Sequence, residues 1–199
     1  QNAKQSTLTG ALTSTVAESF DWNSDAKRSS EDVAKLLAFA KFLLKRGTDA
    51  NLQVACSLGD IRTVKKLIKE SPGIVNKRLT SKRHPLSTAA WYGHEAVVKL
   101  LLDKRARTQG FLGADAIRAA ASGGHLAVLK LLLKRRPGTV QSELSEALRR
   151  AAEQNRVEVM KYLVSRGARI KSVDSRTRRT PLHLAAEWGS TEAVAYLLS

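Results

Sequence analysis

The sequence predicts an all-α protein, a solenoid of stacked helix-turn-helix pairs joined by short loops and preceded by a capping helix. In its 199 residues, a segment of two small residues, two variable residues and then Gly or Asn recurs five times. The turn residues are spaced by 34, 31, 31 and 34 positions and are Gly59, Gly93, Gly124, Asn155 and Gly189. An apolar helical pattern follows each turn. Because one pair of helices cannot bury its apolar face alone, neighbouring pairs are expected to stack.

The N-terminal part of the chain carries no copy of this segment. Residues 1–30 form a Ser/Thr-rich segment, and residues 31–48 predict one amphipathic capping helix. Its apolar stripe includes Leu36, Leu37 and Leu44, and Gly47 is expected to end it.

The repeat domain is expected to span residues 49–199, with approximate boundaries 50–79, 80–110, 111–142, 143–175 and 176–199. Paired small residues such as Ala89-Ala90 let two helices approach closely. A Gly or Asn after them tolerates the left-handed conformation that ends a helix. The second helices are predicted at Val64–Ile68, Val97–Leu102, Val128–Leu133 and Val159–Val164, with a fifth beginning at Ala193.

One segment carries a specific signature. Thr180-Pro181-Leu182-His183-Leu184-Ala185-Ala186 resembles the ankyrin repeat, and His84-Pro85-Leu86-Ser87-Thr88-Ala89-Ala90 is a looser copy. The resemblance covers residues 50–199 and implies an ankyrin-repeat solenoid of about five repeats with short finger loops. The last repeat ends inside an apolar helical pattern, so a longer parent protein is expected. The third and fourth copies lack the Thr-Pro step, and Gly110-Phe111-Leu112-Gly113 is interpreted as loop.

The residues that suggest catalysis have simpler explanations. His94 and His125 follow turn glycines, and His183 lies in the repeat signature, where the family uses it to hydrogen-bond loops. The histidines lack a metal-ligand spacing, and Cys56 replaces the second alanine of a helix-packing pair. Phosphate-binding and nucleophile motifs are also missing from the sequence. The prediction is therefore a protein that is not an enzyme and needs no cofactor or metal.

Composition indicates the cellular compartment and the kind of partner to expect. The sequence has no apolar run near the ~20 residues that span a membrane, so no transmembrane segment is expected. A single cysteine favours a reducing, intracellular compartment, cytoplasmic or nuclear. The net charge is +16, and residues 51–199 hold 27 basic and 12 acidic residues, or +15 of it. This bias favours acidic partners, nucleic acid or an anionic membrane surface.

Candidate binding residues follow from the resemblance. In ankyrin proteins the two residues before the turn glycine, together with the finger tips, face a concave groove. The residues at these places that we single out are Trp91, Tyr92, Glu153, Gln154, Glu187 and Trp188, with Lys82, Arg83, Arg176, Arg178 and Arg179 in the fingers. Trp and Tyr are enriched in binding hot spots. The alternative is that each ring packs on a neighbouring repeat, and that the basic loops are merely solvated.

Two functions are weighed on these grounds. The first is a protein-interaction module, the scaffold, adaptor or recognition region of a larger intracellular signalling or regulatory protein. It would bind a partner, favoured to have an acidic surface, through the groove and basic fingers. The alternative is a binder of nucleic acid or anionic lipid through the basic face.

Overall fold

The structure is a computed structural model that describes Lys35, Ala38 and the ranges 52–77 and 84–199. The chain divides into two compact units, residues 1–85 and residues 86–199. Lys35 and Ala38 are helical, but the rest of the predicted capping helix and the Ser/Thr-rich segment lie outside the described residues. So do the predicted finger residues Lys82 and Arg83.

The first unit contains helices α1 (Leu52–Leu58) and α2 (Ile61–Glu70), which pack against each other, and a 3₁₀ helix (Pro72–Asn76) packed on α2. Asp60 begins α2 by accepting hydrogen bonds from the N–H groups of Arg62 and Thr63, both at 3.1 Å. A carboxylate at this position satisfies amide groups that have no partner inside the helix. Helix α2 therefore begins at Ile61, ahead of Val64, where the apolar pattern predicts its start.

The second unit contains most of α3, which begins at the boundary, and the seven helices that follow. Their bounds are α3 Pro85–Trp91, α4 Glu95–Asp103, α5 Gly110–Gly123, α6 Leu126–Arg135, α7 Gln141–Glu153, α8 Val157–Ser165, α9 Pro181–Glu187 and α10 Thr191–Leu198. First helices contact first helices (α5 with α7, α7 with α9), and second helices contact second helices (α4 with α6, α6 with α8, α8 with α10). Every regular element in the described ranges is helical, as the sequence predicts.

The turn between the two helices of a pair has the same geometry in all five copies. Its turn residue has a positive φ, from +56° at Asn155 to +82° at Gly124. The residue after it donates its backbone N–H to the first alanine of the small pair, five positions back, as in His125 to Ala120 at 3.0 Å. This bond satisfies a carbonyl at the helix end that has no partner within the helix. The predicted role of the turn residues is confirmed.

The small pairs lie at the centre of the packing. Both members are fully buried in the first four copies, including Ala89-Ala90, Ala120-Ala121 and Ala151-Ala152. In the last copy Ala185 is buried whereas Ala186 is exposed. Side chains that are methyl groups at every position except Cys56 therefore set how closely the first helices approach one another.

The interpretation of Gly110 to Gly113 as loop is wrong, because these residues form the first turn of α5. Two features account for the longer helix. Without a Thr-Pro step, nothing fixes the start of the helix near Ala116. Gly113 also lies against the preceding loop, and a Cβ there would come within 1.6 Å of the carbonyl oxygen of Thr108. Only glycine allows this close approach, which is a tertiary effect.

The Thr-Pro step has its predicted role at α9. Thr180 is the N-cap and accepts a hydrogen bond from the N–H of His183, whose Nδ1 in turn accepts one from the N–H of Thr180. Pro181 takes the first helical position, where a missing N–H is harmless. His183 thus replaces the Glu of a usual capping box.

Candidate interaction site

In the second unit, the residues just before the turn residues form a row, in which the backbone carbonyls two positions before Gly93, Gly124 and Asn155 accept hydrogen bonds. The His125 imidazole bonds the carbonyl of Trp91, Arg156 Nε donates to Ser122 at 3.2 Å, and Ser190 Oγ donates to Glu153 at 2.9 Å. In each case the donor is the residue just after the turn residue of the next repeat. The row that contains the predicted binding pairs is therefore fixed from repeat to repeat.

His125 is the donor of this row that lies against two glycines. Its ring lies against the turn glycine Gly93 and against Gly123, the last residue of α5. A Cβ at Gly93 would fall 2.3 Å from Nδ1, and one at Gly123 would fall 2.5 Å from Cδ2. Burial lowers the pKa of His125, and the nearby charge of Arg156 acts in the same direction, whereas the bond to the Trp91 carbonyl opposes them. A neutral imidazole is therefore favoured, in keeping with a structural role.

The aromatic side chains of the row stand partly in solvent. Trp91 ends α3 and Trp188 follows α9, and both are half-buried, as is Tyr92. The Tyr92 ring stacks on His94 with centroids 6.2 Å apart and an interplanar angle of 27°. The Tyr92 ring therefore packs on His94 on one side and keeps part of its surface in solvent.

The Glu153-Gln154 pair of the fourth repeat is less exposed than a position in the groove would require. Glu153 is 7% exposed, and its carboxylate lies 3.1 Å from Arg150. The side-chain amide of Gln154, which is half-buried, points to the same carboxylate at 3.5 Å. Glu153 therefore supports the row through its ion pair and its carbonyl, while Gln154 remains at the surface.

The basic finger of the last repeat is a tight loop built on Asp174. The Asp174 carboxylate accepts the N–H groups of Arg176 and Thr177 at 3.0 and 2.7 Å. The bond from Thr177 lowers the pKa of Asp174, and Arg149 adds to the effect. Arg176 and Arg178 are exposed at the tip, and Arg179 pairs with the exposed Glu187 at the end of α9. This pair joins the finger to the row.

Arg149 is a residue whose role the sequence pattern did not reveal. Although arginine side chains usually lie at the surface, that of Arg149 is only 11% exposed. Its guanidinium bonds Glu146, and it lies 3.4 Å from Ser172 Oγ and 3.6 Å from Asp174. Arg149 therefore ties α7 to the finger. The spacing of Glu146 and Arg149 on one helix predicts the local pair but not the contact with Asp174.

The described residues offer little for catalysis. Cys56 is fully buried, and burial raises the pKa of its thiol, which keeps the sulfur protonated and non-nucleophilic. Across 52–77 and 84–199, groups of three or more His, Cys, Asp or Glu side chains that suit a metal ion are absent. In the same ranges, each helix is too short or too polar to cross a membrane.

The stacked helix pairs, their shared turn and the hydrogen-bonded row define a helical repeat protein. The family model for ankyrin repeats (3 copies) matches residues 26–110 and 116–199, so the chain belongs to the ankyrin-repeat family. The ankyrin repeat domain of human ASB11 is similar in structure, with 25% sequence identity, a TM-score of 0.62, and coverage of 75% of this chain and 68% of that one. A search of curated proteins finds no match. Ankyrin repeats are in general non-enzymatic protein–protein interaction modules.

Proposed function

We propose that this chain binds a partner protein through the row before the turns and the basic finger beside it. The observation that carries the proposal is the combination found along the row. Its backbone is hydrogen-bonded from repeat to repeat, while Trp91, Tyr92 and Trp188 keep part of their surface in solvent. Rigid, partly exposed aromatic side chains lose little conformational entropy on binding and are typical of hot spots.

The charges beside the row favour an acidic partner. Arg176 and Arg178 are exposed on a finger whose backbone is held by Asp174. Gln154 adds a polar contact. Lys82 and Arg83, which lie outside the described residues, stay predicted members of the site. Glu153, Glu187 and Arg179 act by holding the row and the finger in place through ion pairs. Charge complementarity of this kind raises association rates and selects partners.

The site suits the scaffold, adaptor or recognition region of a regulatory protein. A cytoplasmic or nuclear location is consistent with the buried thiol of Cys56, since a reducing compartment preserves free cysteines.

The test is capture of partners from nuclease-treated lysate at low and high salt, with the captured protein then purified and its affinity measured directly. We expect Trp91→Ala with Tyr92→Ala to weaken that affinity at least tenfold while leaving helical circular dichroism unchanged. Phe111→Ala is the control, because Phe111 is an aromatic side chain, 62% exposed, on α5 and outside the row. Equal affinities of the wild type and the double variant would show that the row is not part of the interface.

A second candidate, binding of nucleic acid or anionic lipid, is favoured by one pattern. Lys99, Lys130 and Lys161 are each the sixth residue after a turn residue, and all three are exposed in mid-helix. A favourable interaction with the helix dipole is confined to the last turn, so it does not account for them. The capture is repeated with untreated lysate, and material that every variant loses on nuclease treatment or at high salt would favour this candidate.

A further inference from the structure

A cavity of about 550 Å³ lies between the first turns of α7 and residues 169–175, which lead into the finger. Nine residues line it. Three are cationic (Arg149, Arg169 and Lys171), four are serines, and none is acidic. Volumes of this size are typical of sites for small molecules. None of these nine residues belongs to the row or to the exposed tip of the finger, so the cavity is separate from the proposed partner site.

The wall of the cavity is held in place by two contacts between α7 and residues 169–175. The buried Arg149 side chain bonds Glu146 on α7 and reaches Ser172 and Asp174. Ser145 Oγ accepts the backbone N–H of Arg169 at 3.0 Å. A site whose walls are already fixed loses less free energy to ordering when a ligand binds.

The groups left to meet a ligand are hydrogen-bond donors. Arg149 is already neutralised by Glu146 and Asp174, so the unpaired charge of the cavity comes from Arg169 and Lys171. Both are exposed, and their side chains have no acceptor in the described part of the chain. The cavity also borders the start of α7, a 13-residue helix whose N-cap, Val140, has no side-chain acceptor. The N–H groups of such a turn favour an anion.

We propose that this cavity binds the phosphate group of a small phosphorylated molecule. Two cations match a group that carries about −1.5 to −2 charges at pH 7. The hydroxyls of Ser142 and Ser175, together with the first amide groups of α7, supply the further donors that three terminal oxygens require. The volume exceeds that of a phosphate and leaves room for the organic part of the ligand.

The test measures binding to the full chain by calorimetry and amide chemical shifts, in buffer of fixed ionic strength. The probes are O-phosphoserine, inorganic phosphate and acetate. We expect saturable 1:1 binding of O-phosphoserine, with shifts confined to residues around 141–145 and 169–175, and at least tenfold weaker binding of acetate. Inorganic phosphate distinguishes the two sources of the ligand. If it binds more weakly than O-phosphoserine, the cavity also contacts the organic part of the ligand. If the two bind equally, the site is one for free phosphate.

The double variant Arg169→Gln, Lys171→Gln is expected to lower the affinity for O-phosphoserine at least tenfold. The control pair, Lys130→Gln with Lys134→Gln, removes the same charge from the exposed face of α6 and is expected to change it less than twofold. Absence of saturable binding to the wild type, acetate binding as tight as phosphate, or equal weakening in both variant pairs would each overturn the proposal. Thermal unfolding of each variant verifies that it is folded.

Discussion

At the scale of single residues, the turn glycines differ in what surrounds them although their backbones are alike. Gly93 and Gly189 have φ values of +76° and +66°. A Cβ at Gly93 would lie 2.3 Å from His125 Nδ1, whereas a Cβ at Gly189 would meet nothing within 4 Å. A substitution at Gly189 therefore measures only the cost of a positive φ for a side chain, whereas the same substitution at Gly93 adds the cost of a steric clash.

We expect Gly189→Ala to lower the free energy of unfolding by about 1–2 kcal/mol, the cost of a left-handed alanine. Gly93→Ala should lower it by roughly 1–3 kcal/mol more, because the His125 ring must move and its bond to Trp91 is disturbed. Urea denaturation measures both. Equal losses would show that the ring moves aside without cost.

His125 also predicts a dependence of stability on pH. Its folded pKa is lowered, so the unfolded chain binds a proton first as the pH falls below about 6.5, the ordinary value. The contribution of His125 to the free energy of unfolding should therefore be complete above that pH and decrease as the pH falls towards the folded pKa. His125→Gln keeps a donor for the Trp91 carbonyl without titrating. We expect this variant to have a smaller loss of stability between pH 7 and pH 5, as measured by thermal unfolding. An identical loss in both proteins would contradict the assignment.

At the scale of elements, the sequence predicts what is decided locally. A turn of two small residues and a positive-φ Gly or Asn depends on neighbours in the chain, and all five turns were found from that pattern. The close approach of Thr108 to Gly113, and the contact of Arg149 with Asp174, bring together residues from different elements. They depend on how helices and loops pack, which the repeat pattern does not encode. The burial of Glu153 depends on the same packing, although its ion pair with Arg150 is local to α7.

The cap of α9 is a further property of one element. Thr180 accepts an N–H of the first turn and begins a helix of only seven residues. We expect Thr180→Ala to destabilise the protein by about 1 kcal/mol, the usual cost of a lost N-cap. Thr191→Ala, at the exposed first position of α10, is the matched control and should cost little. Equal melting temperatures for the two variants would argue against a stabilising cap.

At the scale of the whole molecule, stability in a repeat protein is the sum of repeats and the interfaces between neighbours. The eighth residue after the turn residue is a leucine in each repeat of the second unit. Leu101, Leu132 and Leu163 are 0–3% exposed, whereas Leu197 in α10 is half-buried. The same side chain therefore contributes differently according to whether a neighbouring helix covers it.

This comparison gives a prediction for the chain as a cooperative unit. Leu163 lies in α8, which contacts α6 on one side and α10 on the other. Leu163→Ala should cost about 2–5 kcal/mol and lower the unfolding midpoint of the whole second unit, because it leaves a cavity between repeats. Leu197→Ala should cost less than about half as much, since less of its surface leaves water on folding. Urea denaturation followed by circular dichroism measures both losses. A loss for Leu197→Ala as large as that for Leu163→Ala would mean that the last repeat is packed as tightly as the internal ones.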